Sequence, residues 1–569
     1  MEFNQIKHIS LQEWDNLNSK DTIWIRVGYG ASGQAAGAQE IFDLLKELSS
    51  DMDNINITLV GSMGLSYAEP LIDIKNNSGV RIFYNNVTPK ITKEIFNYLI
   101  EKDAPLSEYV FGQVVPKGEK PIDGFIELDK SEPLKFTKQI ATKNFGSISP
   151  TNINHYIANG GYEGLSAALN ELDPEKTLNR VKNSGLRGRG GAAFSTGIKW
   201  SFLAGINSNI KYILCNCEEG DPGAFNDKGI LENDPHMLLE GLILAGYATG
   251  ASNGHIFIRD GHEIPIENSR KAIEQAYEHN LLGENILGTG FSYDVEVSLT
   301  GDSYVAGEET ALMEAIEGKR SMPRFKPPFP AAFGLWGKPS NINNVKTLSY
   351  VPYIIKEGSE EYKKIGSESS SGTAIVCLSG HIKRPGMYEI EMGMTIKDLL
   401  QNIGGGSSTK NEIKLLQTGG PLGGVLGNED FDVKIDFDEM SKVGAILGSG
   451  GIIVADSTTD VVDLIRTLVA FNQFESCGKC FPCRLGNTHM LDILNRICNS
   501  KPKDGDMDVI KKIGNSMKTG SLCGHGQLGY SPIASAIKYF KDEFDVALSA
   551  NHPVDSNIDE MILPTRTRP

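Results

Sequence analysis

Four cysteines have the spacing of ligands to one metal centre. Cys477, Cys480 and Cys483 follow a C-x2-C-x2-C pattern, and Cys523 returns from a later segment. Three closely spaced thiols with a distant fourth are typical of a [4Fe–4S] cluster, which carries single electrons. A structural zinc site is the alternative, although zinc ligands more often come as two separate C-x2-C pairs. His525 is interpreted as a residue that offsets cluster charge or, equally, as a solvent-facing turn residue.

The composition is that of an ordinary globular protein. The 569 residues are 40% hydrophobic and 22% charged, which is close to average usage. A prior of roughly 150 residues per domain predicts about four domains. The formal net charge of −17 argues against a nucleic-acid partner, because phosphate repels an acidic surface.

The first residues lack the charged and apolar regions of a signal peptide. No stretch approaches the roughly 20 apolar residues that cross a bilayer, so we expect a cytoplasmic protein without direct membrane insertion. The remaining cysteines, Cys215, Cys217, Cys377 and Cys498, fall in segments predicted as core or active-site strands and helices. Their placement fits a reducing compartment better than a disulfide scaffold.

A glycine-rich segment, Ser184 to Phe194, combines four glycines with Arg187 and Arg189. Glycines let a backbone approach phosphate closely, and arginines add charge-assisted donors. The usual dinucleotide fingerprint needs a strand before its glycines, whereas a helical pattern from Leu165 to Val181 comes first here. The generic Rossmann signature therefore fails, and a tight interdomain turn stays an open alternative.

Polar side chains follow a predicted buried strand, Lys211 to Leu214. In open α/β sheets, ligands bind beyond the carboxyl ends of strands, and amide and carboxylate groups there suit sugar or ribityl hydroxyls. Later segments add a helix start with paired acids, a proline-rich run and two asparagines. The side chains concerned are Asn216, Glu218, Glu219, Asp221, Tyr304, Glu308, Glu309, Lys326, Asn343 and Asn344. Taken alone, the first group can equally be a solvated acidic turn, and the paired acids can be explained by the helix dipole.

In this order, the segments from about Gly185 to Phe544 resemble the NADH-binding flavoprotein subunit of respiratory complex I and its soluble relatives. Those relatives are diaphorase subunits of NAD-linked hydrogenases, formate dehydrogenases and electron-bifurcating complexes. The resemblance implies FMN, NAD(H) and a [4Fe–4S] cluster as cofactors. The implied FMN positions are Gly185, Arg187, Gly188, Gly190, Gly191, Asn216, Glu218, Tyr304, Asn343 and Asn344, and Glu219 and Gly307 are further implied cofactor-binding positions. The implied nucleotide positions are Phe194, Lys199, Phe202, Asp221, Glu308, Glu309, Lys326 and Phe329.

The fold class expected with this resemblance is multidomain α/β plus α. We expect a thioredoxin-like domain at 1–130, a Rossmann-like FMN- and NADH-binding α/β domain with a linker at 131–370, a β-grasp insert of the soluble ligand-binding type at 371–455, and a helical bundle with the iron–sulfur site and a tail at 456–569. The [2Fe–2S] ligands that such thioredoxin-like domains carry would fall near Tyr29 and Gln34 and between Ser62 and Ser66, where no cysteine stands. We interpret this domain as a scaffold or interaction module without a cluster.

The implied activity is that of an NADH dehydrogenase (diaphorase) subunit that passes electrons between NAD(H), FMN and the cluster. Electron flow is reversible in this interpretation, and bifurcation is left open. The expected partners are other iron–sulfur subunits of a hydrogenase, a formate dehydrogenase or a ferredoxin-linked complex. Carboxylates near a ribose repel an extra phosphate, so we expect a preference for NADH over NADPH. The alternative is a non-catalytic scaffold or a regulatory nucleotide-binding subunit.

Overall fold

The computed structural model describes residues 2–75, 77 and 79–549, and the predicted tail lies outside these ranges. Three sheets form among the described residues, each from a different stretch of sequence. A helical region follows the last sheet. The architecture is therefore a mixed α/β arrangement with an α region, as expected. Within the described ranges, no helix is long and apolar enough to cross a bilayer.

The first sheet comes from residues 23–114. Its strands are Ile23–Gly28, Ile55–Val60, Ile72–Lys75, Arg81–Tyr84 and Val110–Val114. The helices of this part are Phe3–Leu17, Ala31–Ala35, Ala38–Leu48 and Pro89–Lys102. The first two strands pair in parallel, and the later pairs are antiparallel. The helix Phe3–Leu17 packs against the central region, where its Ile6 shares a buried core with Tyr156.

The central sheet is parallel, and its strands lie in the order Asp294–Thr300, Asn253–Arg259, Tyr212–Cys217 and Ser340–Asn344. After Tyr212–Cys217, the strands Asn253–Arg259 and Asp294–Thr300 are added in turn on one side. The last strand, Ser340–Asn344, pairs with Tyr212–Cys217 on its other side. The strand order therefore reverses between these two strands, where Asn216 lies opposite Asn344. Such a reversal point is where open α/β sheets bind ligands.

Helices cover both faces of the central sheet. They are Ile153–Ala158, Glu163–Glu171, Pro174–Asn183, Thr196–Ala204, Asn226–Asn233, Pro235–Thr249, Glu263–Glu278, Glu309–Ile316, Val345–Ser349, Val351–Glu357 and Ser359–Lys363. The helix Pro235–Thr249 is buried along almost its whole length, because apolar side chains surround its axis.

Two local predictions in this region are wrong. The single helix expected from Leu165 to Val181 is two helices, because Pro174 begins a new one and the Asp173 carboxylate accepts a hydrogen bond from Lys176 N at 2.7 Å. The strand expected to end at Leu214 continues to Cys217. Parallel neighbours on both sides satisfy its backbone, so polar side chains do not end it.

The third sheet comes from residues 373–456. Its strands lie in the order Gly386–Glu391, Thr373–Gly380, Gly451–Asp456, Ile413–Thr418 and Val425–Gly427. Its helical segments are Ile396–Asp398, Leu399–Ile403 and Phe437–Lys442. The strands Thr373–Gly380 and Gly451–Asp456 pair in parallel, and the other pairs are antiparallel.

The C-terminal helices are Val461–Phe474, Phe481–Cys498, Asp506–Gly520, Gly524–Gln527 and Ser531–Leu548. Their apolar faces form one buried core that includes Val461, Ile465, Leu494 and Cys498. Cys498 is therefore a core residue, as predicted. The cysteine motif lies between the first two helices, and Cys523 precedes the short fourth helix.

Candidate functional site

The glycine-rich segment forms a tight loop against the reversal point of the central sheet. Gly188 N donates to the Phe194 carbonyl oxygen at 2.8 Å, which closes the loop. A Cβ atom at Gly190 would lie 2.8 Å from the Asn344 Cβ. Only glycine permits this close approach, so the loop backbone lies beside the carboxyl end of the last strand.

The two arginines of the loop bind other parts of the protein. Arg187 donates to the Ser369 carbonyl oxygen at 3.2 Å and to an Asp438 carboxylate oxygen at 3.1 Å. Arg189 is buried and donates to the Ser371 carbonyl oxygen at 2.6 Å. Both guanidinium groups therefore hold the loop against the third sheet region.

The end of the strand Tyr212–Cys217 is hydrogen-bonded to the segment Gly307 to Glu309, which begins the next helix. Asn216 Nδ2 donates to the Gly307 carbonyl oxygen at 2.8 Å, and Asn216 Oδ1 accepts from Glu218 N at 3.1 Å. Glu308 caps the following helix by accepting a hydrogen bond from Thr310 N at 2.9 Å. Segments 91 residues apart are thereby held at one edge of the sheet.

These elements enclose a cavity of about 240 Å³. Its wall includes the predicted residues Gly190, Asn216, Glu218, Glu219, Asp221, Tyr304, Gly307, Glu308 and Asn344. A neighbouring cavity of about 280 Å³ shares part of this wall and adds Gly188, Phe194, Lys199, Glu309, Lys326 and Asn343. Among the predicted residues, all of which the structure describes, Gly185, Arg187, Gly191, Phe202 and Phe329 lie outside both walls.

Glu218 shows that the first cavity suits a polyhydroxylated ligand. Its carboxylate is 3% exposed, and one oxygen accepts from Gly220 N at 3.0 Å. The other oxygen is buried without a hydrogen bond and lies 3.5 Å from Arg259 Nη1. Burial raises the pKa of Glu218 to about 8. A ligand hydroxyl would give this oxygen a hydrogen bond, so this acceptor and the glycine cradle at Gly190 fit FMN.

The second cavity carries paired charges and the exposed ring of Phe194, and the ring of Phe202 lies outside its wall. Lys326 Nζ lies 3.1 Å from a Glu308 oxygen and also contacts Glu309, and Lys199 Nζ lies 3.9 Å from Glu309. The rings of Phe194 and Phe202 lie 6.4 Å apart and are about half exposed. Ammonium groups suit a pyrophosphate and exposed rings suit an adenine.

The four cysteines of the motif line one small cavity. Cys483 Sγ lies 3.3 Å from Ser476 Oγ and accepts from Asn487 Nδ2 at 3.4 Å. Burial raises the pKa of Cys483 to about 12 and that of Cys523 to about 11. Iron would supply the positive charge that such buried thiolates need, so the donor set fits a cluster. Among the described residues, no group of three or more His, Cys, Asp or Glu side chains is arranged to hold a single metal ion.

The thiol cavity and the first cavity share a wall made of Val305, Cys523 and His525. His525 is 7% exposed, and its Nε2 lies 2.8 Å from the Asn472 carbonyl oxygen. The solvent-facing alternative for His525 is therefore wrong. Its ring lies 5.7 Å from that of Tyr304, which also lines the first cavity. Because Val305, Cys523 and His525 line both cavities, the two cavities are adjacent.

In the N-terminal region, Ser62 and the nearby Ala31 form an interface with the central region. Ser62 N donates to Asn233 Oδ1 at 2.6 Å, and Ala31 N donates to Glu232 Oε2 at 2.9 Å. Ser62 Oγ donates to Glu69 Oε1 at 2.6 Å. These polar groups are engaged with each other and with the neighbouring region, which supports a scaffolding role.

Glu69 makes the stability of this interface depend on pH. Burial raises the pKa of Glu69 to about 7 from 4.5, so the folded protein holds a proton that the unfolded chain releases. The free energy of unfolding should fall as pH rises from about 4.5 to about 7. We expect Glu69→Gln to lower that slope by about one proton, measured by denaturant unfolding across this range. Glu101→Gln, an exposed carboxylate on the helix Pro89–Lys102, is the control, and equal slopes for Glu69→Gln and the native protein would contradict the prediction.

Sequence reasoning missed several residues of the first cavity. They are Gly220, Asp227, Val305, Leu422, Ser449, Gly524 and Leu528. Ser449 Oγ donates to Asp221 Oδ2 at 2.7 Å, so the third sheet region completes the wall. No local pattern marks Ser449 or Leu422, because their role arises from packing between distant segments. Asp227 was detectable as an acid one helical turn after the polar loop.

Three family models match the chain. Residues 181–353 match the Nuo51 FMN-binding domain, residues 463–547 match the NADH-ubiquinone oxidoreductase-F iron–sulfur binding region, and residues 375–426 match the SLBB domain. The HndC subunit of the NADP-reducing hydrogenase of Solidesulfovibrio fructosivorans is 43% identical over 72% of this chain and 83% of its own. The F subunit of NADH-quinone oxidoreductase of Escherichia coli (strain K12) is 39% identical over 70% of this chain and 90% of its own. The chain belongs to the family of NADH-quinone oxidoreductase F subunits.

Membership in this family confirms the predicted cofactors FMN, NAD(H) and a [4Fe–4S] cluster. The matched iron–sulfur region, residues 463–547, contains all four cysteines, which favours a cluster over zinc. The fold is similar to a chain in the crystal structure of an NAD+-reducing [NiFe]-hydrogenase in the H2-reduced state. That similarity has a TM-score of 0.64 at 23% identity and covers 96% of this chain and 88% of that chain.

Proposed function

We propose that this chain is the NADH dehydrogenase (diaphorase) subunit of a multisubunit redox complex. The observation that carries the proposal is the shared wall between the cavity at the sheet edge and the cavity of the four thiols. FMN held in the first cavity would supply hydride exchange with NAD(H), and a [4Fe–4S] cluster held by the thiols would supply single-electron transfer. Adjacent sites in one chain allow this conversion from two-electron to one-electron chemistry.

The residues of the chain would bind and orient the flavin, the nucleotide and the cluster. Gly188 and Gly190 would hold the flavin phosphate, and Glu218 and Asn216 its hydroxyls. Asn343 and Asn344 lie at the strand end that faces this loop. The lysines Lys199 and Lys326 would bind the pyrophosphate of the nucleotide. Cys477, Cys480, Cys483 and Cys523 would hold the cluster.

The domain assignments that accompany this proposal are a thioredoxin-like domain without a cluster, a Rossmann-like FMN and NADH domain, a β-grasp insert and a helical cluster domain. The mixed first sheet, the parallel central sheet and the mixed third sheet support them. The proposed partners are iron–sulfur subunits of a hydrogenase, a formate dehydrogenase or a ferredoxin-linked complex. Co-purification of the native complex identifies which of these is present.

Anaerobic purification with a visible spectrum and cofactor analysis tests the function. We expect about one FMN and about four iron atoms per chain, and bleaching of the flavin absorbance by NADH. A colourless protein without iron would instead favour the non-catalytic scaffold. A protein that holds zinc at the four thiols would remove the electron relay.

The acids of the second cavity predict the nucleotide preference. Glu309 contacts Lys326, so it both repels a 2′-phosphate and neutralises an ammonium group that would attract one. We expect a higher kcat/KM for NADH than for NADPH, and we expect Glu309→Gln to raise the NADPH to NADH ratio roughly tenfold. Glu267→Gln, an exposed acid on the helix Glu263–Glu278, is the control. Equal efficiency with both nucleotides in the native protein would contradict the prediction.

A further inference from the structure

A buried lysine lies beneath the wall of the first cavity. Lys346 is 2% exposed and belongs to the helix Val345–Ser349, two residues after Asn344. Its Nζ donates to Asp227 Oδ1 at 2.6 Å and to Asn226 Oδ1 at 2.8 Å. A lysine is almost never fully buried unless it is paired, so this ammonium group has a defined partner set.

The ion pair is linked directly to a predicted flavin contact. Asn344 Nδ2 donates to the second carboxylate oxygen of Asp227 at 2.6 Å, and Asn344 Oδ1 accepts from Lys346 N at 3.0 Å. Lys346, Asp227 and Asn344 therefore form a closed ring of hydrogen bonds. Asp227 and Asn344 both reach the cavity wall, so the ring fixes the orientation of an amide on that wall.

The same ammonium group offsets two carboxylates. Glu219 also lies on the cavity wall, and its oxygens accept from Asp227 N and Lys228 N at 2.7 Å. Lys346 lowers, and Asp227 raises, the pKa of Glu219, although burial is the largest cause of its rise to about 7. One cation thus faces a buried acid, Asp227, and a partly exposed one, Glu219, and charges this close to the protein interior interact more strongly than in bulk water.

We propose that Lys346 is an electrostatic positioning residue that sets the reduction potential of the flavin. This inference rests on the proposed function, because it concerns the FMN site. Reduction adds negative charge to a flavin. Carboxylates at the cavity wall would therefore disfavour the reduced form if no cation offset them. Lys346 cancels part of that negative field and holds the Asn344 amide in one orientation.

The test is an anaerobic spectroelectrochemical titration of the flavin in the purified holoprotein. We expect Lys346→Met to weaken the binding of reduced FMN about tenfold more than that of oxidised FMN, which lowers the two-electron midpoint potential by about 30 mV. We expect Asp227→Asn to shift the potential in the opposite direction, because it removes an acid and leaves the ammonium group. Lys346→Arg should restore most of the native potential.

Lys211→Met is the matched control. Lys211 is a second buried lysine, but its Nζ donates to the Leu203 and Thr249 carbonyl oxygens at 3.0 Å, at the opposite end of the strand Tyr212–Cys217. Its replacement should lower stability without moving the flavin potential. If Lys346→Met does not fold, the double variant Lys346→Met with Asp227→Asn removes both charges, and we expect it to lie nearer the native potential than Asp227→Asn does.

The outcomes separate this inference from the function on which it rests. If the native protein contains FMN that NADH reduces, but Lys346→Met and Asp227→Asn both leave the potential unchanged, the positioning role is overturned and the function stands. Shifts of the same sign in both variants also overturn it. The two variants remove opposite charges, so equal signs would show that the potential responds to a structural disturbance and not to charge. A native protein without FMN overturns the function and the inference together.

Discussion

Replacing Cys483 by alanine should abolish the cluster and leave the flavin in place. Cys483 is the most buried of the four motif thiols and accepts a hydrogen bond from Asn487. Loss of an outer-shell partner alone typically costs 10- to 100-fold in metal affinity, so we expect loss of a ligand to reduce electron transfer to an iron–sulfur acceptor by at least about a hundredfold. Iron content, the visible spectrum and bound FMN are measured on the same sample.

The control is Cys498→Ala, which removes a buried thiol from the core of the same helical region. It should lower stability and keep iron and activity. NADH oxidation with an artificial acceptor that takes electrons from the flavin should persist in Cys483→Ala. Native iron content in Cys483→Ala, or equal loss in both variants, would contradict the assignment of Cys483 as a ligand.

Replacing Gly190 by valine should weaken FMN binding. A Cβ atom at this position would lie 2.8 Å from the Asn344 Cβ and would enter the space between the loop and the strand end. Overpacking of this kind typically costs about 1–3 kcal/mol, which corresponds to roughly 5- to 150-fold in FMN affinity. Bound FMN after desalting and NADH oxidation should fall together.

Gly301→Val is the matched control, because a Cβ atom at Gly301 would meet no atom within 4 Å. Circular dichroism of both variants reports whether the fold persists. A Gly190→Val protein that retains native FMN content would show that the loop does not approach the flavin, and it would remove the glycine cradle from the proposed site.

Local patterns predicted local structure well where one face of an element is apolar. The helix Ala38–Leu48, for example, buries Ala38, Ile41 and Leu45, which recur at helical spacing on one face. The pattern failed where polar residues stand inside an element. Asn216 was expected in a loop, but neighbouring strands pair with it on both sides.

Side-chain direction was the least predictable part of the site. Arg187 and Arg189 were expected to face a phosphate, and the structure directs both to carbonyl oxygens near the third sheet. Long flexible side chains follow their nearest acceptors, and those acceptors come from residues more than 180 positions away in sequence. Lys346 was missed for the same reason, because its partners lie on a distant helix.

The sequence by itself determined the kinds of chemistry that this protein can perform. Thiol spacing is a short-range pattern and predicted the [4Fe–4S] cluster, whereas FMN and NAD(H) followed from the resemblance of the ordered segments to a known family. Only the tertiary structure decided that the two cavities share a wall, that Ser449 and Leu422 complete one of them, and that a buried lysine offsets its acids. Such features arise from packing between segments far apart in the chain, and no local pattern records which distant segments will meet.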